Sequence, residues 1–187
     1  MKRTAVIVTE DHLVSFGLIV HNFARFELLM QVIMSSLVGA QIFLAQVFTG
    51  GLGYAGKRDV VLSLLQHAHY EDDRVARIRE FLDRIHQWNS LRNAVAHHNW
   101  KRGTRPDTIK PIYMVVRGGI GKMKGAGDDG RDYTAEELAD IAFGLSILYN
   151  ELTDYLDSIG FLPRPTAKSI EETSASTAER GGEPPEK

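Results

Sequence analysis

Apolar residues recur at helical spacing along the first quarter of the chain. The run extends from His12 to about Phe48, with Asp11 as a candidate N-cap and Gly39 as the expected point of a break. Its apolar members in the first part are Leu13, Phe16, Ile19, Val20, Phe23, Phe26, Leu29, Met30 and Ile33. The pattern predicts a long helix that is interrupted near Gly39.

The uncharged segment within this run, residues 28–48, is about long enough to cross a bilayer, so a membrane span is an alternative. Against it stand the flanking charges of Arg25 and Glu27 and the polar residues inside the segment, which are Gln31, Ser35, Ser36, Gln41 and Gln46. We therefore expect a central buried helix of a bundle and no membrane association.

Further helical patterns follow a glycine-rich loop at residues 50–56. A short helix is expected at residues 59–67, and a third helix at about residues 72–88, which continues or kinks into residues 90–98. Thr134 and Glu137 form a capping-box pattern before the last apolar run, and Gly160 predicts its end. Residues 163–187 have the composition of a flexible tail.

The pattern changes at residues 109–117, which are β-branched and aromatic. Gly118-Gly119 is a turn dipeptide, and residues 120–124 are the candidate returning strand. The predicted fold is thus an all-α bundle of four to five helices with a small inserted β-hairpin at about residues 108–124. One domain at residues 1–162 accounts for it.

Composition narrows the classes of function. The 187 residues, 43% of them hydrophobic, suit one domain, and the absence of cysteine excludes disulfides, thiolate metal sites and cysteine nucleophiles. The apolar stretch at residues 5–8 is too short for a signal peptide, so we expect a cytoplasmic protein. A net charge of −2 and a pI near 6.4 exclude the overall basic field of a dedicated nucleic-acid binder. Contact with nucleic acid must then be local.

The segment from Leu91 to Trp100 reads L-R-N-A-V-A-H-H-N-W. Its arginine, adjacent polar residue, short apolar stretch and histidine are Arg92, Asn93 and His97, an arrangement that resembles the signature of the HEPN (higher eukaryotes and prokaryotes nucleotide-binding) domain family. The resemblance implies a helical bundle in which two such motifs meet across a dimer cleft and cut RNA without a metal ion. It also implies a toxin or phage-defence setting, with an antitoxin as a candidate partner.

The spacing of these residues has its own physical meaning. Asn93 and His97 are four residues apart and share a helix face, so the amide can orient the imidazole. Arg92 points roughly 140° away from His97 around the same helix. For both to touch one phosphate, the helix must end before His97 or a second copy must contribute the missing group. The second option favours a homodimer.

The expected chemistry is attack by the ribose 2′-hydroxyl on the neighbouring phosphate, which leaves a cyclic phosphate and a free 5′-hydroxyl and spares DNA. An imidazole exchanges protons near neutral pH, so His97 is the candidate general acid or base, with His98 as its alternative. Arg92 would stabilise charge on the phosphoryl oxygens, and Asn93 would hold the pose. This chemistry needs no cofactor.

A local basic stretch follows the motif. Its candidate RNA-binding residues are Lys101, Arg102, Arg105, Lys122 and Lys124, together with Lys110 and Arg117. Trp100 and Tyr113 lie within it and could stack on bases. The alternative is a solvated loop with an edge strand that is kept soluble by lysines.

A non-catalytic reading of the motif also remains open. Arg92 could pair with Glu27, which is isolated in the apolar first helix, and a histidine at a helix C-terminus is favoured by the helix dipole alone. The chain would then be a non-catalytic dimerisation or nucleotide-binding module of the same fold.

Two other patterns carry little weight. Gly51 to Lys57 reads G-x-x-x-x-G-K, but Arg58 stands where a P-loop has Ser or Thr, so nucleotide hydrolysis is not expected. The histidines at positions 67, 69, 86, 97 and 98 lack the four-residue spacing of helical metal ligands, so no metal site is expected.

Overall fold

A helical bundle that carries a small antiparallel sheet is seen in the computed structural model, which describes residues 7–68, 70–117, 120–124 and 131–162. Side chains are described in these ranges outside residues 113–124. The described elements are α1 (Glu10–Val38), α2 (Ile42–Thr49), α3 (Tyr54–His67), α4 (Asp72–His86), α5 (Asn89–His97), β1 (Asn99–Arg102), β2 (Ile109–Arg117), β3 (Ile120–Lys124) and α6 (Ala135–Ser158). The mostly helical fold with an inserted hairpin is confirmed, and the predicted tail lies outside the described residues.

Helix α1 begins and ends with local signals, one of which we predicted. Gly39, at φ 63°, ends the helix, and its N–H donates to the carbonyl of Ser35. The predicted N-cap Asp11 was wrong, since Thr9 caps the helix and its N–H donates to Nδ1 of His12 at 3.2 Å. Asp11 lies instead in the first turn, where its negative charge stabilises the helix by interacting with the positive end of the helix dipole.

The core lies between α1, α3, α4 and α6. Its largest buried side chains include Ile19, Phe23, Phe26, Met30, Ile33, Leu65, Ile78, Leu82 and Leu138. Burial of each such side chain contributes about 1.5–3 kcal/mol. Helices α1 and α6 run parallel, because Asn22 donates to the carbonyl of Ala142 at 3.0 Å and Ser36 donates to that of Phe161 at 3.2 Å.

The expectation of a central buried helix at residues 28–48 was only partly right. In α2 the buried residues are Ala45 and Thr49, whereas Phe43 is 62% exposed and Phe48 is 80% exposed. Helix α1 is long and apolar enough to cross a membrane by length and composition, and 39% of its most apolar stretch is buried inside the bundle. Other residues of α1, such as Leu13, Val14 and Leu28, form an exposed face of the helix.

Helix α3 begins five residues earlier than its apolar pattern suggested. Tyr54 is 1% exposed, its ring centroid lies 5.4 Å from that of Phe23, and its hydroxyl donates to the carbonyl of Leu82 at 2.9 Å. This packing turns the end of the glycine-rich segment into the first turn of α3. Of the two alternatives for the segment before the motif, a continuous helix or a kink, the structure shows an interruption, since α4 ends at His86 and α5 begins at Asn89.

The sheet has the order β1-β2-β3, with both pairs antiparallel. The hairpin of β2 and β3 was predicted, but β1 was missed. Asn99 pairs with Ile112 and Arg102 with Ile109, so β1 is an edge strand that follows α5 directly. A bridge between Ile109 and Tyr133 ties β2 to the segment before α6. The sheet is therefore attached to the C-terminal end of the motif helix.

The predicted ends of α6 are confirmed. Thr134 Oγ1 accepts from the N–H of Glu137 at 3.0 Å, and Glu137 Oε2 accepts from the N–H of Thr134 at 2.8 Å. After Ser158 the chain turns at Gly160, which has φ 70°, and Phe161 N–H donates to the carbonyl of Leu156. These bonds fix both ends of the helix that supports α1.

Candidate functional site

The motif residues lie on α5 and at its C-terminal cap. Leu91 and Ala94 are buried and hold α5 on the bundle, and His98 is the C-cap in extended conformation. The helix crosses α1 so that Arg92 meets Glu27 and Trp100 meets Phe16. Arg92 is therefore placed over α1 at Glu27, and the start of β1 is placed over the N-terminal half of α1 at Phe16.

Arg92 belongs to a cluster of three charges, which we call the Glu27 cluster. Nη2 of Arg92 lies 3.1 Å from Oε1 of Glu27, and Nζ of Lys57 lies 2.5 Å from Oε2 of the same carboxylate. The side chains of Arg92, Glu27 and Lys57 are 23%, 17% and 5% exposed. The suspected pairing of Arg92 with Glu27 is confirmed. The guanidinium is not sealed from solvent.

Lys57 is the last residue of the P-loop-like stretch. It lies in the first turns of α3, the element before it is helix α2, and its ammonium contacts Glu27. A P-loop lysine instead follows a strand and reaches toward bound phosphates. The lysine here is part of the bundle interior.

Asn93 contacts Arg92. Its Oδ1 accepts from Nη1 of Arg92 at 3.1 Å. The expected hydrogen bond from this amide to His97 is not formed in the described part of the chain. Asn93 therefore orients the guanidinium of Arg92 and not the imidazole of His97. An arginine side chain has more rotatable bonds than a histidine side chain, so it gains more from such a contact.

His97 and Arg92 are not brought together within one chain. Helix α5 continues through His97, so the two side chains leave the helix roughly 140° apart. His97 is exposed at the last turn. Burial and the neighbouring charge of His97 lower the pKa of His98, which favours a neutral imidazole at pH 7.

A cleft of about 430 Å³ lies between α5 and the sheet. It brings together Asn93, His98 and Arg131, with Tyr133 forming part of the wall. Arg131 was not singled out in the sequence; its guanidinium carbon lies 5.4 Å from the ring centroid of Tyr133. The i, i+2 spacing of a cation and an aromatic residue in an extended segment was a usable signal, because such residues share one side of the chain.

The described residues of the basic stretch differ from one another in their contacts and in their exposure to solvent. Arg105 binds Glu137 and the carbonyl of Asp132, both at 2.8 Å, and Lys110 is 3% exposed. Arg102 is exposed at the end of β1, and Lys101 is half-buried. The side chains of Tyr113, Arg117, Lys122 and Lys124 lie outside the described ones, so their predicted roles stay predictions. Lys110 is buried, and Arg105 is paired with Glu137 while its side chain stays 51% exposed, so the predicted RNA contacts of both residues stay predictions.

Trp100 is also part of the scaffold. Its ring lies 4.7 Å from that of Phe16 and 6.4 Å from that of Tyr133, measured between centroids. The side chain is half-buried between α1 and the sheet. The predicted stacking of this ring on a base is therefore not supported, because its faces contact protein.

Asp132 holds the loop between β1 and β2 in place. Its carboxylate accepts from the backbone N–H groups of Thr104 and Arg105 and from two threonine hydroxyls. Burial raises its pKa, but the hydrogen bonds from Thr104 and Arg105 and the charge of Lys110 outweigh this and lower it to about 2. A Cβ at Gly103 would collide with Thr108 and this carboxylate, so the loop requires glycine there.

Comparison of the chain with protein-family models, with curated proteins and with solved structures gives no match. The likeness to the HEPN signature is carried by the motif residues and the helical context.

Proposed function

We propose that this protein is a metal-independent endoribonuclease of the HEPN type that acts as a homodimer. The observation that carries the proposal is the state of Arg92. Its side chain keeps 23% exposure in a cluster of two cations and one carboxylate, so the three formal charges beside the motif helix sum to +1. A phosphodiester is the kind of anion that such a forked cation binds best.

The geometry of α5 supports a second copy in the proposed site. Because Arg92 and His97 leave the helix in different directions, one chain is not arranged to present both groups to one phosphate. A symmetric pair of chains can do so, since Arg92 of one copy then faces His97 of the other. The proposed site of Arg92 and His97 is thus shared between two copies.

The surface for the second copy is an exposed face of α1, which we call the α1 apolar face. Its apolar residues are Leu13, Val14, Gly17, Val20, Ala24 and Leu28, and the exposed Glu10 and His21 lie among them. At about 100° per residue, they fall between the side of α1 that carries Phe16 and Glu27 and the side that carries Asn22 and Arg25. The first side contacts the motif region and the second contacts α6. A chain seated on this face would lie directly beside the motif.

Gly17 supports this placement. It stands in the middle of α1, where glycine costs about 0.5–1 kcal/mol relative to alanine, and a Cβ at this position would meet no atom within 4 Å among the described residues. The single chain gives no packing reason for glycine. Close approach of a second helix supplies one.

The reaction follows from one imidazole and one guanidinium at each shared site. His97 of one copy takes the proton of the ribose 2′-hydroxyl as its oxygen forms a bond to phosphorus, and the departing 5′-oxygen takes a proton from water. The bond between phosphorus and that oxygen breaks. The products are a cyclic phosphate and a 5′-hydroxyl, with Arg92 stabilising the charge on the phosphoryl oxygens. In a toxin or defence setting, which the HEPN resemblance suggests, an antitoxin would restrain this activity.

A second candidate function is a non-catalytic HEPN-like dimerisation or nucleotide-binding module. The observation in its favour is the ion pair of Arg92 with Glu27, which gives the arginine a structural use. In this reading the positive charge binds a nucleotide phosphate without cleavage.

The test is incubation of purified protein with RNA in EDTA, followed by analysis of the ends. The proposal predicts cyclic-phosphate ends with the wild type and none with Arg92→Ala or His97→Ala. Arg84→Ala is the matched control, since Arg84 pairs with Glu151 on an exposed surface. Intact RNA with the wild type would refute the nuclease and leave the binding module, whereas equal cleavage by Arg92→Ala would refute the assignment of the activity to the motif.

A further inference from the structure

We infer that Glu27 and Lys57 are positioning residues for Arg92, with Lys57 setting how much positive charge Arg92 offers to an RNA phosphate. The inference rests on the proposed function for the identity of the anion. It concerns two residues outside the motif that lie 30 positions apart and are joined only by the fold.

The first step is geometric. Glu27 binds Arg92 with Oε1 and Lys57 with Oε2, so the two cations occupy different oxygens of one carboxylate. Asn93 accepts from Nη1 of Arg92, while Glu27 accepts from Nη2. The guanidinium is thus fixed at both ends of its fork before any substrate arrives, which reduces the entropy lost on binding.

The second step concerns charge. A carboxylate that bound Arg92 alone would neutralise it, and the pair would have little attraction for a phosphate. Lys57 brings the sum of the three formal charges to +1. Because its side chain is 5% exposed, its charge is poorly screened by water and acts on its neighbours.

The third step concerns access. Exposure rises along the cluster from Lys57 at 5% to Glu27 at 17% and Arg92 at 23%. The cation that solvent reaches most easily is therefore the motif arginine, and the buried lysine is placed behind the carboxylate. A phosphate would meet Arg92, with Glu27 and Lys57 acting through it.

The experiment measures binding and cleavage separately. Binding uses a 2′-O-methyl oligonucleotide, which lacks the attacking hydroxyl, and is followed by fluorescence anisotropy over a range of salt concentrations. Cleavage uses the corresponding RNA, with kcat and KM determined. The variants are Lys57→Met, Lys57→Arg and Glu27→Gln. The matched control is Arg58→Met, which removes a cation from the next position of α3, where it pairs with Asp59 and Asp83.

The variants are expected to change oligonucleotide binding and RNA cleavage in different directions. Lys57→Met should weaken oligonucleotide binding about tenfold and flatten its salt dependence, Lys57→Arg should restore both, and Arg58→Met should change binding less than about twofold. Glu27→Gln should leave binding equal or tighter, because the cluster gains charge, but lower kcat about tenfold or more, because Arg92 loses its orientation. In an Arg92→Ala background, Lys57→Met should have no further effect on binding.

These outcomes separate the two proposals. A merely structural role would lower all readouts together with the folded fraction, which circular dichroism measures, and Glu27→Gln would then weaken binding instead of preserving it. If the wild type cleaves RNA but the Lys57 and Glu27 variants behave like Arg58→Met, the inference is overturned and the nuclease stands. If the wild type binds but does not cleave and the binding pattern holds, the nuclease fails and the positioning role remains.

Discussion

Two neighbouring regions of this molecule carry positive charge, and the fold uses them in opposite ways. In the Glu27 cluster, two cations share one carboxylate and the motif arginine keeps access to solvent. In the β1–β2 region, Arg105 is 51% exposed but matched one-to-one by Glu137, Lys110 is buried, and Asp132 takes four hydrogen bonds from the loop. The difference teaches that a basic stretch in a sequence is not yet a basic surface.

The comparison also predicts a different role for the charges of each region. Charges that are matched within the chain stabilise its own structure, whereas an unmatched cation beside a protein surface attracts an external anion. We therefore expect substitutions in the motif region to change activity and substitutions of packed or charge-matched residues in the β1–β2 region to change stability, whereas the exposed Arg102 should affect binding. The following predictions test this division in order of effect.

The largest effect should distinguish the two adjacent histidines. His97→Ala should lower RNA cleavage about 1,000-fold, since loss of a general acid or base typically costs 10²–10⁴. His98→Ala should lower it less than about tenfold, because His98 is directed into the cleft with Asn93 and Arg131. Single-turnover cleavage rates of both variants measure this. The reverse ranking would transfer the acid–base role to His98.

Trp100→Ala should reduce stability without affecting RNA affinity. The ring packs on Phe16 and Tyr133, so its removal should lower the free energy of unfolding by about 2–3 kcal/mol. Urea unfolding and oligonucleotide binding of the folded variant check the two statements. A loss of affinity at unchanged stability would show that the ring stacks on a base after all.

Asp132 should contribute stability that depends on pH. Its pKa in the folded protein is lowered to about 2, so the carboxylate binds a proton more tightly in the unfolded chain than in the folded one. Its contribution to stability is therefore present above about pH 4 and is lost as the pH falls to about 2. Asp132→Asn should lower the free energy of unfolding at pH 7 by about 1–3 kcal/mol. The gap between wild type and variant should narrow in thermal melts at pH 3. A gap that is constant with pH would contradict this account.

The smallest effect should separate two arginines of the β1–β2 region. Arg102→Ala should weaken RNA binding about threefold at low salt, because an exposed arginine adds one phosphate contact. Arg105→Ala should change affinity less, since its guanidinium is bound by Glu137. Anisotropy titrations at two salt concentrations measure the difference. Equal losses would mean that the ion pair of Arg105 opens for RNA.

Much of the helical scaffold was predictable because local signals decide it. The capping box of Thr134 and Glu137, the stop at Gly160 and the break at Gly39 are each set by a few adjacent residues. Strand β1 was not predictable, since three of its four residues are polar and the strand gains its structure from pairing with β2. Tyr54 likewise joins α3 because of its distant partners Phe23 and Leu82.

The candidate site was predictable only in its motif. Arg92, Asn93 and His97 stand close together in the sequence, and the pairing of Arg92 with Glu27 could be suspected because Glu27 is an isolated charge. The role of Lys57 could not, because its partner lies 30 residues away and its glycine-rich context suggested a different site. The burial of Lys110 depends in the same way on tertiary packing.

The central claim is that Arg92 of one copy and His97 of another form one site. Its most direct test is a mixed dimer of Arg92→Ala and His97→Ala chains, co-expressed with different tags and purified through both, then assayed for RNA cleavage in EDTA. One of the two sites is then intact, so we expect about half of the wild-type rate, although each homodimer is inactive. A mixed dimer that forms but does not cleave RNA, beside an active wild type, would contradict the claim.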